Sequence, residues 1–217
     1  MFKVRGIRLV VEYFFYNHLF DIFHKTDTHG WKQERPEQST THEIYMATWQ
    51  KDIKLAMSAL RTLDNRPVKE ADLIDLGCGK GKLLLVWSKM YHNHDAIQGV
   101  EYDEELLDIC RNNFKMIGLN LPRLVVGDAS NVILEIKNDR QIYFMFNPFG
   151  ADIVLSFFKN NYTEKMTVIY FNPIHYKILE DLGLMCVYER NSYRNGSSFQ
   201  ILSNDGYVLK QFSRVHN

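Results

Sequence analysis

The chain has 217 residues, 46% apolar and 24% charged, the balance of one globular domain rather than of a disordered segment. Lysine plus arginine and aspartate plus glutamate number 26 each, so the basic stripe of a protein that tracks nucleic-acid backbone is not expected. Three scattered cysteines, Cys78, Cys110 and Cys186, suggest neither a disulfide framework nor a Cys-x-x-Cys zinc pair, and point to a reducing, cytoplasmic setting.

From the amino terminus, Ile7, Val10, Val11, Phe14, Leu19, Ile22 and Phe23 recur at helical spacing, which predicts a helix over residues 7–24. Glu12, Asn17 and His18 interrupt its apolar run and no small-residue cleavage site follows, so it reads as a packed or covering helix and not a signal peptide. Its aromatic content also suits a partner or membrane surface, although few basic residues line its polar face. No stretch nears the ~18 uninterrupted apolar residues of a membrane span. Residues 21–41 are polar and rich in hydrogen-bonding groups, including Asp27 and Thr28; this is the composition of a lid or entrance loop. A second helix is predicted through Tyr45, Trp49, Ile53, Ala56, Met57, Leu60 and Leu63, ended by Asn65-Arg66-Pro67. Residues 1–66 are therefore expected to form a helical extension, and 67–217 the main domain.

Beyond residue 71 short apolar runs alternate with helical patterns. Strands are predicted at 72–76, 96–101, 123–126, 141–146 and 167–171. Helices are predicted at 81–91, after Asp103 as a cap, and near 174–183. The tail from Leu184 to Val215 alternates in β fashion, with Asn195-Gly196 as a turn between two runs. Alternation of this kind predicts a doubly wound, mostly parallel α/β sheet with an antiparallel carboxyl-terminal edge.

The chemistry is expected where the first strand ends. Asp75-Leu76-Gly77-Cys78-Gly79-Lys80-Gly81-Lys82 is an acidic strand end followed by a turn with glycine at alternate positions, which lets a ligand approach the backbone. A phosphate-cradling loop would need a hydroxyl residue after Lys82, where Leu83 stands. A dinucleotide fingerprint would place its last glycine at position 82, which is Lys. A third possibility is S-adenosylmethionine, which has no phosphate and seats its amino-acid end against a tight turn. A glycine-rich turn without any ligand is the bland alternative.

Further along, Glu101 ends the second predicted strand, a register from which a carboxylate can accept from ribose hydroxyls. Gly127-Asp128-Ala129 follows the third strand. Phe146-Asn147-Pro148-Phe149-Gly150 closes the fourth, and Phe171-Asn172-Pro173-Ile174-His175-Tyr176 the fifth. An Asn147 side-chain oxygen and a Pro148 carbonyl could accept the hydrogens of an amine, with Phe149 beside a planar or cationic group. His175 or Tyr176 could remove a proton, and either could equally be helix packing.

Taken together these motifs resemble the class I S-adenosylmethionine-dependent methyltransferases, and in particular a group of small bacterial members. The matching residues are Phe20-Asp21 with Asp27-Thr28, the Gly-x-Gly-Lys-Gly loop at 77–81, Gly99-Val100-Glu101, Gly127-Asp128-Ala129 and Asn147-Pro148-Phe149. A more distant similarity is to the non-SET lysine methyltransferases. The resemblance spans roughly residues 20–175 and implies a Rossmann-like seven-stranded sheet. It implies that Asp75, Gly77, Gly79, Gly81, Glu101, Asp128 and Ala129 hold S-adenosylmethionine, with Asp128 accepting from the adenine amino group. It also implies that Asn147, Pro148 and Phe149 present the methyl acceptor. Asp27, Thr28, Tyr45 and His175 are then expected around lid and substrate. The acceptor expected is an amine of a protein side chain or small molecule, for a monomer or weak dimer. A nicotinamide-dependent oxidoreductase and a non-catalytic scaffold remain as alternatives.

Overall fold

Seven α-helices and seven strands follow one another along the residues described by the computed structural model, which are 19–29, 48–91, 95–146, 149–191 and 198–216. In chain order they are α1 (Leu19–His24), α2 (Gln50–Leu63), β1 (Asp72–Leu76), α3 (Lys82–Met90), β2 (Ile97–Glu101), α4 (Glu104–Ile117) and β3 (Arg123–Val126). The second half holds β4 (Gln141–Phe146), α5 (Ala151–Asn160), β5 (Met166–Phe171), α6 (Tyr176–Asp181), β6 (Met185–Arg190), β7 (Phe199–Ser203) and α7 (Gly206–His216).

The strands form one seven-stranded sheet in the order β3-β2-β1-β4-β5-β7-β6. All neighbours are parallel from β3 to β5, while β7 runs antiparallel to both β5 and β6. Central strands are buried on both faces, which explains why β4 and β5 read as nearly continuous apolar runs. Alternate side chains of each strand enter opposite layers. Leu73, Ile142, Phe144, Ile169 and Phe171 share one apolar cluster with residues of α2, α3, α4 and α7. Ile74, Tyr143, Met145, Val168 and Tyr170 share the other with residues of α5 and α6.

The expected helices and strands of the central region are present within a residue or two of their predicted limits. The carboxyl-terminal tail requires a correction. Its first part forms β6 and β7, but Gly206–His216 is a helix and not a continuation of the β alternation. The Asp205 carboxylate accepts from the Tyr207 amide and its carbonyl accepts from Leu209 N, which opens the helix. Val208, Leu209 and Phe212 then meet the core from one helical face. The predicted helix over 7–24 is described only from Leu19, and the second helix from Gln50. Tyr45 and the Asn195-Gly196 turn lie outside the described residues. Among the described residues no helix is long and apolar enough to cross a membrane.

Candidate cofactor and active site

At the carboxyl end of β1 the chain turns by left-handed backbone at Gly77 (φ 75°), Gly79 (φ 50°) and Gly81 (φ 79°). Side chains other than glycine rarely take these angles, so the alternating glycines permit the bend. The amides of Gly77 and Cys78 both donate to the Val100 carbonyl, at 2.9 and 3.0 Å, which binds the turn to β2. Gly81 has a separate reason to lack a side chain. A Cβ there would lie 2.3 Å from the Cys110 sulfur of α4.

Two buried carboxylates flank this turn. Glu101 Oε2 accepts from Gly79 N at 2.9 Å, and Oε1 accepts from Tyr102 N at 3.0 Å and Asp103 N at 3.1 Å. Burial pushes the Glu101 carboxyl upward in spite of these three donors. Asp75 is buried, and no described residue donates to its carboxylate. Burial, and then the Glu101 charge, hold its carboxyl well above the usual carboxylate range. An unpaired buried carboxylate is costly unless a cation or a proton meets it. The thiols beside the turn are inert by contrast: burial raises Cys78, reinforced by Asp75 and Glu101, and pushes Cys110 up to about 12.

Asp128 stands at the end of β3, on the neighbouring strand, where Gly127 N donates to the Glu101 carbonyl at 3.0 Å. One oxygen, Oδ1, receives Ser130 N and Ser130 Oγ, both at 2.8 Å, and fixes a single 3₁₀ turn over Ala129–Asn131. The other oxygen has no partner among the described residues and Asp128 is exposed, while Ala129 is buried. Asp75, the glycine turn, Glu101 and Asp128 therefore lie along the carboxyl ends of β1, β2 and β3, the position at which open α/β sheets bind ligands.

Asn147 and Pro148 lie outside the described residues. Phe149 is buried in the apolar cluster that also contains Ala129, Ile153 and Val154, so most of its ring serves packing. His175 precedes α6 and its backbone amide donates to the Tyr170 hydroxyl at 3.3 Å. Asn172, at the end of β5, has a positive φ of 46° without being glycine, a conformation for which asparagine is among the tolerant residues.

The amino-terminal head reaches the same turn. Asp21 is a buried acceptor for Thr26 Oγ1, Thr28 N, Thr28 Oγ1, His29 N and the His29 ring. Thr28, expected in a lid, is thus fully buried with its hydroxyl on Asp21. Asp27 is exposed and pairs with Lys80 Nζ at 2.8 Å. Lys82, the residue that spoils the dinucleotide fingerprint, is buried at the start of α3. Its ammonium is pulled down to about 8 by burial, against the opposing pull of the Asp21 charge. No motif included Asn113, whose side chain lies between the head and the turn. A polar residue one position before Phe114 on the apolar face of α4 was the signal that marks it.

No protein-family model and no curated protein matches the sequence. Solved structures do. The ribosomal protein L11 methylase of Lactobacillus delbrueckii subsp. bulgaricus superposes with a TM-score of 0.53 at 16% identity, over 71% of this chain and 79% of its own. The fold is that of the Rossmann-like methyltransferases. A SAM-dependent methyltransferase from Aquifex aeolicus matches this methyltransferase fold with a TM-score of 0.51 at 16% identity, covering 70% of this chain and 96% of that one. A mutant of MtNAS in complex with S-adenosylmethionine matches with a TM-score of 0.55 at 13% identity, over 71% and 62% of the two chains. At these identities the likeness is one of fold. Among the described residues no group of His, Cys, Asp and Glu could hold a metal ion.

Proposed function

We propose that this chain is an S-adenosylmethionine-dependent methyltransferase that methylates an amine nitrogen of a protein side chain or a small molecule. The observation that carries the reading is the buried carboxylate of Asp75, to which no described residue donates, beside Glu101 at the glycine turn. A ligand seated here must bring positive charge and hydroxyl donors. S-adenosylmethionine has an ammonium, a sulfonium and a ribose diol, whereas the pyrophosphate of a dinucleotide would bring two negative charges towards two carboxylates. The residues present fit the former.

In this reading Asp75 meets the ammonium end and the turn lets it approach the backbone. Glu101 Oε1 already receives two donors and Oε2 one, so Oε2 keeps a lone pair for a ribose hydroxyl. The Asp128 oxygen without a partner among the described residues would accept from the adenine amino group, and the Ala129 backbone N–H would meet the ring. When bound, the cofactor supplies an electrophilic methyl group on positive sulfur. Asn147 and Pro148 follow half-buried Phe146 at the end of β4 and orient the acceptor by accepting its N–H hydrogens. A neutral amine needs its lone pair aimed more than it needs a strong base. Phe149, packed in the core, anchors that segment to the sheet.

Thermal unfolding with S-adenosylhomocysteine, and separately with NAD, tests the reading. A ligand of the native state at ~100-fold its Kd stabilises by about 2.7 kcal/mol. Stabilisation by S-adenosylhomocysteine alone is expected; stabilisation by NAD alone, or by neither, overturns it.

A further inference from the structure

The head and the glycine turn share a set of bonds that the cofactor reading does not use. Asn113 is almost completely buried in α4, and its amide is spent entirely on these two segments. Its Oδ1 accepts from Asp27 N at 2.8 Å, while Nδ2 donates to the Asp27 carbonyl at 2.9 Å and to the Lys80 carbonyl at 3.0 Å. Lys80 closes the circuit from the other side: its ammonium binds the Asp27 carboxylate and donates to the His29 carbonyl at 3.1 Å. One turn earlier on the same face of α4, Cys110 fills the space that Gly81 leaves open. The peptide Lys80–Gly81 is therefore held by Asn113 through its carbonyl and by Cys110 through contact.

The head is itself bonded internally and to α3. Asp21 collects donors from residues 26, 28 and 29, so the segment has a defined shape of its own. His24 pairs with Lys89 of α3, and the Lys89 ammonium sits 5.5 Å above the Phe20 ring.

We infer that residues 19–29 form a strap that sets the conformation of the glycine turn, and that Asn113 is the positioning residue through which strap and turn are coupled. The inference rests on the cofactor reading for its consequence, because a turn held in one conformation presents its amides to the ligand without ordering cost on binding. The Asn113 amide is committed to Asp27 and Lys80. It acts through the Lys80 carbonyl and through Asp27.

Hydrogen exchange of the free protein and calorimetric titration with S-adenosylhomocysteine, on wild type and Asn113→Ala, test the coupling. Exchange is expected to accelerate in 21–29 and in 77–81 together, since both lose the same partner. The affinity for S-adenosylhomocysteine is expected to fall about tenfold, the scale of one buried polar group left without its partner. Unchanged exchange at 77–81, or an affinity within about twofold of wild type, overturns the inference. Should Asn113→Ala fail to fold, the isosteric Asn113→Asp keeps the acceptor for Asp27 N and removes both donated bonds. It should then show the same paired acceleration, and unchanged exchange at 77–81 overturns the inference. If wild type binds no S-adenosylhomocysteine, the cofactor reading fails, and the exchange comparison still decides whether strap and turn are coupled.

Discussion

The backbone N–H of Gly79 donates to Glu101 Oε2 at 2.9 Å, so the middle of the glycine turn is hung on the end of the neighbouring strand. The carboxylate is an element of the turn's structure before it is a ligand for anything. Replacing it must therefore be read in two measurements. Glu101→Ala leaves the amides of Gly79, Tyr102 and Asp103 without their acceptor, at a cost of about 1–3 kcal/mol for each group that water does not reach. Urea unfolding should show that loss, and calorimetry should show that binding of S-adenosylhomocysteine is abolished. Retained stability together with retained binding would sink both roles.

Asp75→Asn should separate stability from function. The Asp75 carboxyl is held high by burial and then by Glu101. Its contribution to stability is fully present below the unfolded value, about 3.9, and is lost as pH rises from there through the raised folded-state value. At pH 8 the free Asn variant should unfold at higher urea than wild type, and the advantage should shrink as pH falls towards 4. The same variant should not bind S-adenosylhomocysteine. Tight binding by the variant would remove Asp75 from the site.

Gly81→Ala combines two costs. The left-handed φ of 79° is unfavourable for alanine by about 1–2 kcal/mol. The added Cβ would also stand 2.3 Å from the Cys110 sulfur, an overpacking worth about 1–3 kcal/mol. A double-mutant cycle with Cys110→Ala divides them, because removing the sulfur relieves only the clash. Full recovery in the double variant would mean that the backbone angle costs nothing, contrary to expectation.

Asp64 joins three distant segments and should govern acid sensitivity. It caps α2 and accepts from Arg66 Nε and Nη2 at 2.8 Å and from Arg140 Nη1 at 2.7 Å, while Arg66 also reaches Asp205 at 2.7 Å. Burial alone would raise its carboxyl, but the Arg66 hydrogen bond and the charges of Arg140 and Arg66 outweigh it and leave it below the ordinary value. Its stabilisation is present above the unfolded value, about 3.9, and is lost as pH falls through the lowered folded-state value. Asp64→Asn should cost about 3–5 kcal/mol at neutral pH, as for other broken buried pairs. The gap between wild type and variant, followed by urea unfolding, should narrow only in acid. A gap independent of pH would show that charge is not what Asp64 contributes.

The placement of the candidate residues was legible from local pattern. Asp75, Glu101 and Asp128 lie at or just beyond the ends of β1, β2 and β3, and a parallel sheet necessarily gathers such ends along one edge. The burial of Phe149 was not legible, because an aromatic residue after a strand looks the same in sequence whether its ring faces a ligand or the core. Here it lies among Ala129, Ile153 and Val154. The tail was mistaken for strand throughout because Val208 and Leu209 continue an apolar texture, and only the Asp205 cap and the single buried face distinguish a helix.

By itself the sequence determined what depends on near neighbours: the three glycines of the turn, the Asp103 cap of α4, the alternation of strand and helix, and the acids at the strand ends. Tertiary structure alone decided what depends on residues far apart in the chain. The insertion of β7 between β5 and β6 is set by pairing across the sheet, which no local periodicity encodes. The role of Gly81 is settled by a sulfur on another helix, and that of Asn113 by two carbonyls, at positions 27 and 80. A hydrogen bond leaves a sequence signature only when its spacing is a property of one element; between elements, the packing of the whole chain chooses the partner.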